Sequence, residues 1–193
     1  MLAAARTLFT QRGFNEVGIR ALAAAADATP AMIHYYFGDK EGLYVAMLED
    51  AIGTLLVQLR DLAVSPSSAD PIRGFLQLYI GTLARDPWIP RLLIREVLAE
   101  GAPFRERFIN EFASPAAKFV PTFLRKDSMQ RRLRKDLDPV LATLSLIGMA
   151  AFPFIAYPVV SRVYGIQINE EFRERFIAHT AQLFLHGAAR GGS

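Results

Sequence analysis

Only three histidines and no cysteine occur among the 193 residues, which leaves few side chains for nucleophilic or metal chemistry. Without a thiol there is no thiolate nucleophile, thiolate metal site or disulfide framework, and a reducing compartment is expected. His179 and His186 are seven apart and can share one face of a helix, yet two histidines with no placed carboxylate fall short of a metal set. No glycine-rich phosphate loop appears, and no serine and histidine stand out as a pair. The expectation is therefore no catalytic residue, no metal and no cofactor, with a small helical enzyme as an alternative that only turnover would support.

A different chemistry is suggested near the start of the chain. Leu2, Ala5, Leu8 and Phe9 recur at helical spacing until Gly13, a natural stop because glycine tolerates positive φ. Ile19, Leu22, Ala23 and Ala26 give a second, short helical face, which Asp27-Ala28-Thr29-Pro30 interrupts. Threonine can accept hydrogen bonds from the free N–H groups of a helix start and proline suits the first helical position, so Thr29-Pro30 predicts a third helix from Pro30 to about Phe37. Asp39 is the expected cap of a longer fourth helix reaching about Ala63. Two short helices joined by a tight turn, the second ending in aromatics, meet the requirements of a helix-turn-helix. The first braces the second, whose N-terminal residues can reach base edges in a DNA major groove.

The residues that carry this pattern also resemble a known family. Leu8-Phe9, Gly13-Phe14, Leu22-Ala23, Thr29, His34-Tyr35-Tyr36-Phe37 and Lys40-Glu41-Gly42-Leu43 follow in the order and spacing of the DNA-binding domain of the TetR family of bacterial regulators. Val17 and Gly18 stand where that family usually has serine or threonine, and Asp27 replaces a turn glycine. Aspartate is among the residues that tolerate a left-handed backbone. The resemblance implies that Arg20, Thr29, Ala31, Met32, His34, Tyr35, Tyr36 and Lys40 face DNA. Hydroxyls and the lysine would hold phosphates, whereas Arg20, Ala31, Met32 and His34 are candidates for reading bases. It further implies a DNA-binding domain over residues 1–45, a ligand-binding and dimerisation domain over 46–193, and a transcriptional repressor acting on a double-stranded operator.

Charge does not by itself favour DNA for the N-terminal part. Residues 1–64 hold 5 Lys/Arg against 7 Asp/Glu, whereas residues 65–193 hold 17 against 12. Beyond a linker at 65–71, helices are expected at about 71–85, 88–100, 103–112, 115–126, 138–163 and 170–188, and no alternating strand pattern is found. The fold class is thus all-α. The opening lacks the basic start and apolar run of a secretory signal, so a cytoplasmic protein is expected.

Residues 139–161 contain no charge over 23 positions, long enough for a membrane span. Against that stand Pro153 and Pro158, and no second span accompanies it. A helix buried on both sides of a soluble homodimer has the same composition, and the resemblance assigns the last two long helices to the dimer seam, which also answers to the 52% hydrophobic content. No membrane partner is expected, and the span remains the alternative. Phe75, Tyr79, Trp88, Leu92, Arg95, Phe112, Phe119, Phe123, Met149, Phe152 and Tyr157 are the candidate lining of a site for an apolar or amphipathic effector, with Tyr79, Arg95, Glu96 and His179 as its polar groups. The basic run from Arg125 to Lys135 reads as a solvated turn.

Overall fold

The computed structural model describes residues 1–64, 70–129, 133 and 136–188, the side chains of 120, 123, 126–129 and 188 apart. Among them every regular element is helical. The N-terminal three helices are α1 (Leu2–Arg12), α2 (Ile19–Ala25) and α3 (Pro30–Phe37). Their boundaries follow local chemistry. Gly13 ends α1 at φ 88 with its N–H on the Phe9 carbonyl, Asp27 takes φ 50 in the turn after α2, and the Thr29 hydroxyl accepts from the Met32 N–H ahead of Pro30. The start of α2 has no side-chain cap, as Gly18 there leads one to expect. Phe9, Leu22 and Ile33 are buried where these helices pack on one another and on the next helix, from which Leu43 is buried too.

Asp39 caps α4 (Lys40–Leu48) by accepting from the Gly42 N–H at 2.7 Å. The helical run continues to Val64, as expected, but not as one α-helix. A π segment, Glu49–Gly53, lies between α4 and α5 (Thr54–Val64). This run is long and apolar enough to cross a membrane by composition, and half of its most apolar stretch is buried in the fold, as the central helix of a soluble core would be.

The remaining elements are α6 (Pro71–Arg85), α7 (Trp88–Leu93) with a π segment at Ile94–Leu98, α8 (Arg105–Phe108) with a π segment at Ile109–Ala113, α9 (Ser114–Met129), α10 (Pro139–Ile155), α11 (Tyr157–Tyr164) and α12 (Glu170–Ala188). Asp70 and Asp138 cap α6 and α10, each ahead of a proline at the first turn. α6 is the hub. It buries Ile72, Phe75, Leu76, Ile80 and Leu83 at helical spacing, and α5, α9, α10 and α12 pack around it.

Three expectations are corrected. Helices at 103–112 and 115–126 are one unbroken run over 105–129, because the wide π turn before Ser114 lets Pro115 enter without closing the helix. The helix expected over 88–100 starts at Trp88 but finishes in π geometry at Leu98. The helix expected over 138–163 is broken at Ala156 into two that cross at 74°. Pro158 has no N–H for the carbonyl of residue 154 and its ring would crowd that carbonyl, so the chain starts a new helix instead. No straight span covers 139–161. The linker at 65–69 and most of the basic stretch at 130–135 lie outside the described residues.

Candidate DNA-reading helix and interdomain junction

α3 turns only Ile33 fully inward, with Phe37 half-buried. Ala31, Met32, His34, Tyr35 and Tyr36 are exposed, Tyr35 to 83% and Tyr36 to 61%. Exposing two neighbouring tyrosines, set edge to face at 5.0 Å, on so short a helix leaves a large apolar area in water and indicates a surface built for contact. Thr29 and Arg20 are exposed on the same three-helix unit, although the Thr29 oxygen already serves α3 as its cap. His34 is held at one end. Its Nδ1 lies 2.8 Å from the Gly38 carbonyl, while the Gly38 N–H donates to the His34 carbonyl. A carbonyl only accepts, so Nδ1 carries the proton and Nε2 is left facing outward.

Lys40 does not simply extend into solvent. Its Nζ donates to the Phe14 carbonyl at 3.0 Å and sits 4.0 Å from the centre of that ring, bracing the turn between α1 and α2. An ammonium has three donors, so engagement with Phe14 leaves others for a phosphate.

The candidate effector residues are spread over α6, α7, α9, α10, α11 and the π segments between them. Phe75, Leu92 and Phe112 are buried in the core. Tyr79 stacks on Phe75 at 5.4 Å, and burial pushes its phenol up to about 12. Phe119, Met149 and Tyr157 are partly buried, and Phe152 is 61% exposed on the outer face of α10. The Phe123 side chain lies outside the described residues. Trp88 donates from its indole to Asp86 at 3.1 Å and borders a cleft of about 240 Å³ with Leu2, Arg6, Met47 and Asp50. His179 lines a separate open cleft of about 810 Å³ between α12 and the 165–169 segment, with Tyr164, Arg175 and Gln182.

Arg95 and Glu96, expected as polar groups of the effector site, instead reach the N-terminal helices. Glu96 Oε1 accepts from the Phe14 N–H at 3.1 Å and from Arg95 Nε at 2.8 Å, and the Arg95 guanidinium also donates to the Phe9 carbonyl. Around this pair Phe9, Phe14, Tyr44 and Phe104 form one aromatic cluster, with Tyr44 and Phe104 stacked at 4.0 Å and Phe14 edge-on to both. The junction was missed in the sequence because its partners lie more than eighty residues apart; a glycine-phenylalanine turn opposite an arginine beside a buried glutamate has no local signature.

A braced, outward-facing second helix after a tight turn defines a helix-turn-helix DNA-binding protein. The comparisons with known proteins agree. The model of bacterial regulatory proteins of the tetR family matches residues 1–47. A "Probable HTH-type transcriptional regulator YttP" of Bacillus subtilis (strain 168) is 23% identical over 188 residues, covering 96% of this chain and 90% of that protein. The solved TetR-family regulator PfmR of Thermus thermophilus superposes with a TM-score of 0.73 at 18% identity, covering 98% of this chain and 96% of that one. FadR of Bacillus subtilis, solved with stearoyl-CoA, gives 0.75 at 15% identity and covers 96% of both chains. Residues 1–47 thus carry the DNA-binding domain of the tetR family of bacterial regulatory proteins, and the whole chain shares the fold of solved TetR-family regulators.

Proposed function

We propose that the protein is a cytoplasmic, ligand-responsive repressor that binds a near-palindromic operator as a homodimer and leaves it when an apolar or amphipathic small molecule binds. The observation that carries this reading is α3, with Ala31, Met32, His34, Tyr35 and Tyr36 all exposed on one short capped helix. Residues 1–45 form the DNA-reading unit, with Arg20, Thr29, Tyr35 and Lys40 directed to phosphates and neighbouring bases, and the remainder carries effector and dimer surfaces.

Dimerisation is supported by the outer face of α10 and α11. Val140, Leu141, Leu144, Phe152, Ile155, Val159 and Val163 are large, apolar and exposed, and they follow one another at helical spacing around the bend. A two-fold partner would remove this stripe from water and set two copies of α3 in adjacent major grooves, about 34–36 Å apart or a multiple of that. We assign the effector to the neighbourhood of Phe75, Tyr79, Phe119 and Met149, which α6, α9 and α10 contribute. FadR in its solved complex holds stearoyl-CoA, which makes long-chain acyl compounds the first probes.

The test is selection of duplexes from a randomised pool by the full chain, followed by titration of the selected duplex with and without stearoyl-CoA. A near-palindrome whose affinity falls on adding the acyl compound, or another compound that raises the melting temperature, is the expected result. By linkage the duplex must weaken the effector by the same factor. No enrichment of any duplex would overturn the DNA-binding reading, and stabilising compounds that leave duplex affinity unchanged would overturn the induction.

A further inference from the structure

Glu96 is the most buried of the described charged side chains, 3% exposed, and it sits away from the DNA-reading face. Its carboxylate reaches the step where α1 ends, directly and through Arg95. The Phe14 N–H donates to its carboxylate directly. Arg95, bound to the same oxygen, grips the Phe9 carbonyl, which also receives the Gly13 N–H that closes α1. The fit is close. A Cβ on Gly13 would lie 3.2 Å from both Arg95 Nε and Glu96 Oε1, so positive φ and the approach of this pair both call for glycine.

Phe14 thus joins two parts of the molecule. Its N–H is held by Glu96 from the C-terminal helices, and its carbonyl and ring are held by Lys40, next to the end of the recognition helix α3. The rings of Phe9, Tyr44 and Phe104 supply apolar burial, but apolar packing is non-directional and lets rings slide. The charge-assisted bonds are directional and so fix an angle. Two other ion pairs cross between the same parts, Arg6 to Asp86 at 3.8 Å and Arg107 to Glu41 at 4.0 Å. Both are longer than the 2.8 Å Arg95–Glu96 contact and neither carboxylate is as buried as that of Glu96, so they hold the angle less well.

We propose that Glu96 is a positioning residue for DNA recognition: through the Phe14 amide it sets the orientation of α1–α3 on the C-terminal helices, and hence the half-site spacing that a dimer accepts. This rests on the dimeric DNA-binding reading above. A buried carboxylate used in this way contributes geometric specificity more than net stability.

The experiment measures affinity of the full chain for its own selected duplex and for versions with one base pair inserted or deleted between half-sites. Each such change shifts one half-site by about 3.4 Å and turns it by about 35°. Wild type is expected to lose about tenfold per base-pair change, comparable to one mismatched pair. Glu96→Ala is expected to bind the parent duplex more weakly and to lose less on changing the spacing. Glu96→Gln, which keeps an acceptor for the Phe14 N–H, restores the wild-type spacing profile. Where Glu96→Ala does not fold, Arg95→Gln is read in its place and is expected to show the same broadened profile. A folded, dimeric Glu96→Ala or Arg95→Gln with the wild-type profile would overturn the inference alone. A wild type that selects no duplex would overturn the DNA-binding reading, and this inference with it.

Discussion

With Nδ1 committed to the Gly38 carbonyl, Nε2 is the nitrogen of the exposed His34 ring left to accept a hydrogen bond from a base. The donors that a major groove displays are the amino groups of adenine and cytosine. His34→Ala should therefore erase preference at one base pair in each half-site, by about 1–3 kcal/mol, and leave the others unchanged; repeating the duplex selection with the variant checks this. Tyr44 poses a different question. Its hydroxyl is fully buried without a hydrogen-bond partner among the described residues, and desolvation, reinforced by the neighbouring Glu96 carboxylate, raises its pKa far above the usual phenol range. Replacing it with phenylalanine keeps the ring stack on Phe104 and removes an unsatisfied polar atom, so Tyr44→Phe should stabilise the fold by about 1 kcal/mol. A thermal melt reads the sign, and a lower melting temperature would refute it. Local roles were legible in the sequence because each is settled within four residues: Thr29, Asp39 and Asp138 cap the helices that follow them. The roles of Arg95 and Glu96 were not, since the carbonyl and amide they bind come from the other end of the chain.

Helix boundaries follow the same division. Proline shows why composition alone does not place a break: Pro153 lies inside α10, Pro158 opens α11 after a 74° turn, and Pro115 and Pro121 both lie within α9. What decides is whether the preceding turn can widen or the missing bond can be spared, which depends on packing rather than on residue type. Gly42 shows the converse. A Cβ there would stand 1.9 Å from the Phe37 carbonyl oxygen. The close approach of α3 to α4 depends on that missing atom. Gly42→Ala is expected to push the two helices apart, to cost about 1–3 kcal/mol as an overpacked site does, and to weaken duplex binding beyond its effect on stability. Melting and titration of the same sample separate the two effects.

On the scale of the whole molecule, the apolar stripe of α10 and α11 explains a composition that the isolated chain leaves partly in water. Leu144 belongs to this stripe and is exposed, so Leu144→Arg should cost the monomer little while placing unpaired charge in the proposed two-fold seam. Light scattering is expected to report a 21.4 kDa species for the variant and twice that mass for the wild type; a variant that keeps the doubled mass would remove this face from the interface. The division of charge, 5 Lys/Arg against 7 Asp/Glu in residues 1–64, further means that attraction to DNA relies on a few placed cations rather than on a basic field. The Glu49–Gly53 segment has a geometric consequence of its own. A π turn accommodates one more residue than an α turn, and each helical residue advances the azimuth by about 100°. Between the helix that braces the recognition unit and the hub of the C-terminal helices, angular phase is thus set by counting. A single-codon deletion there removes the extra residue and keeps the two parts in phase, whereas the same deletion in the plain α geometry of α4 or α5 turns one part against the other by about 100°.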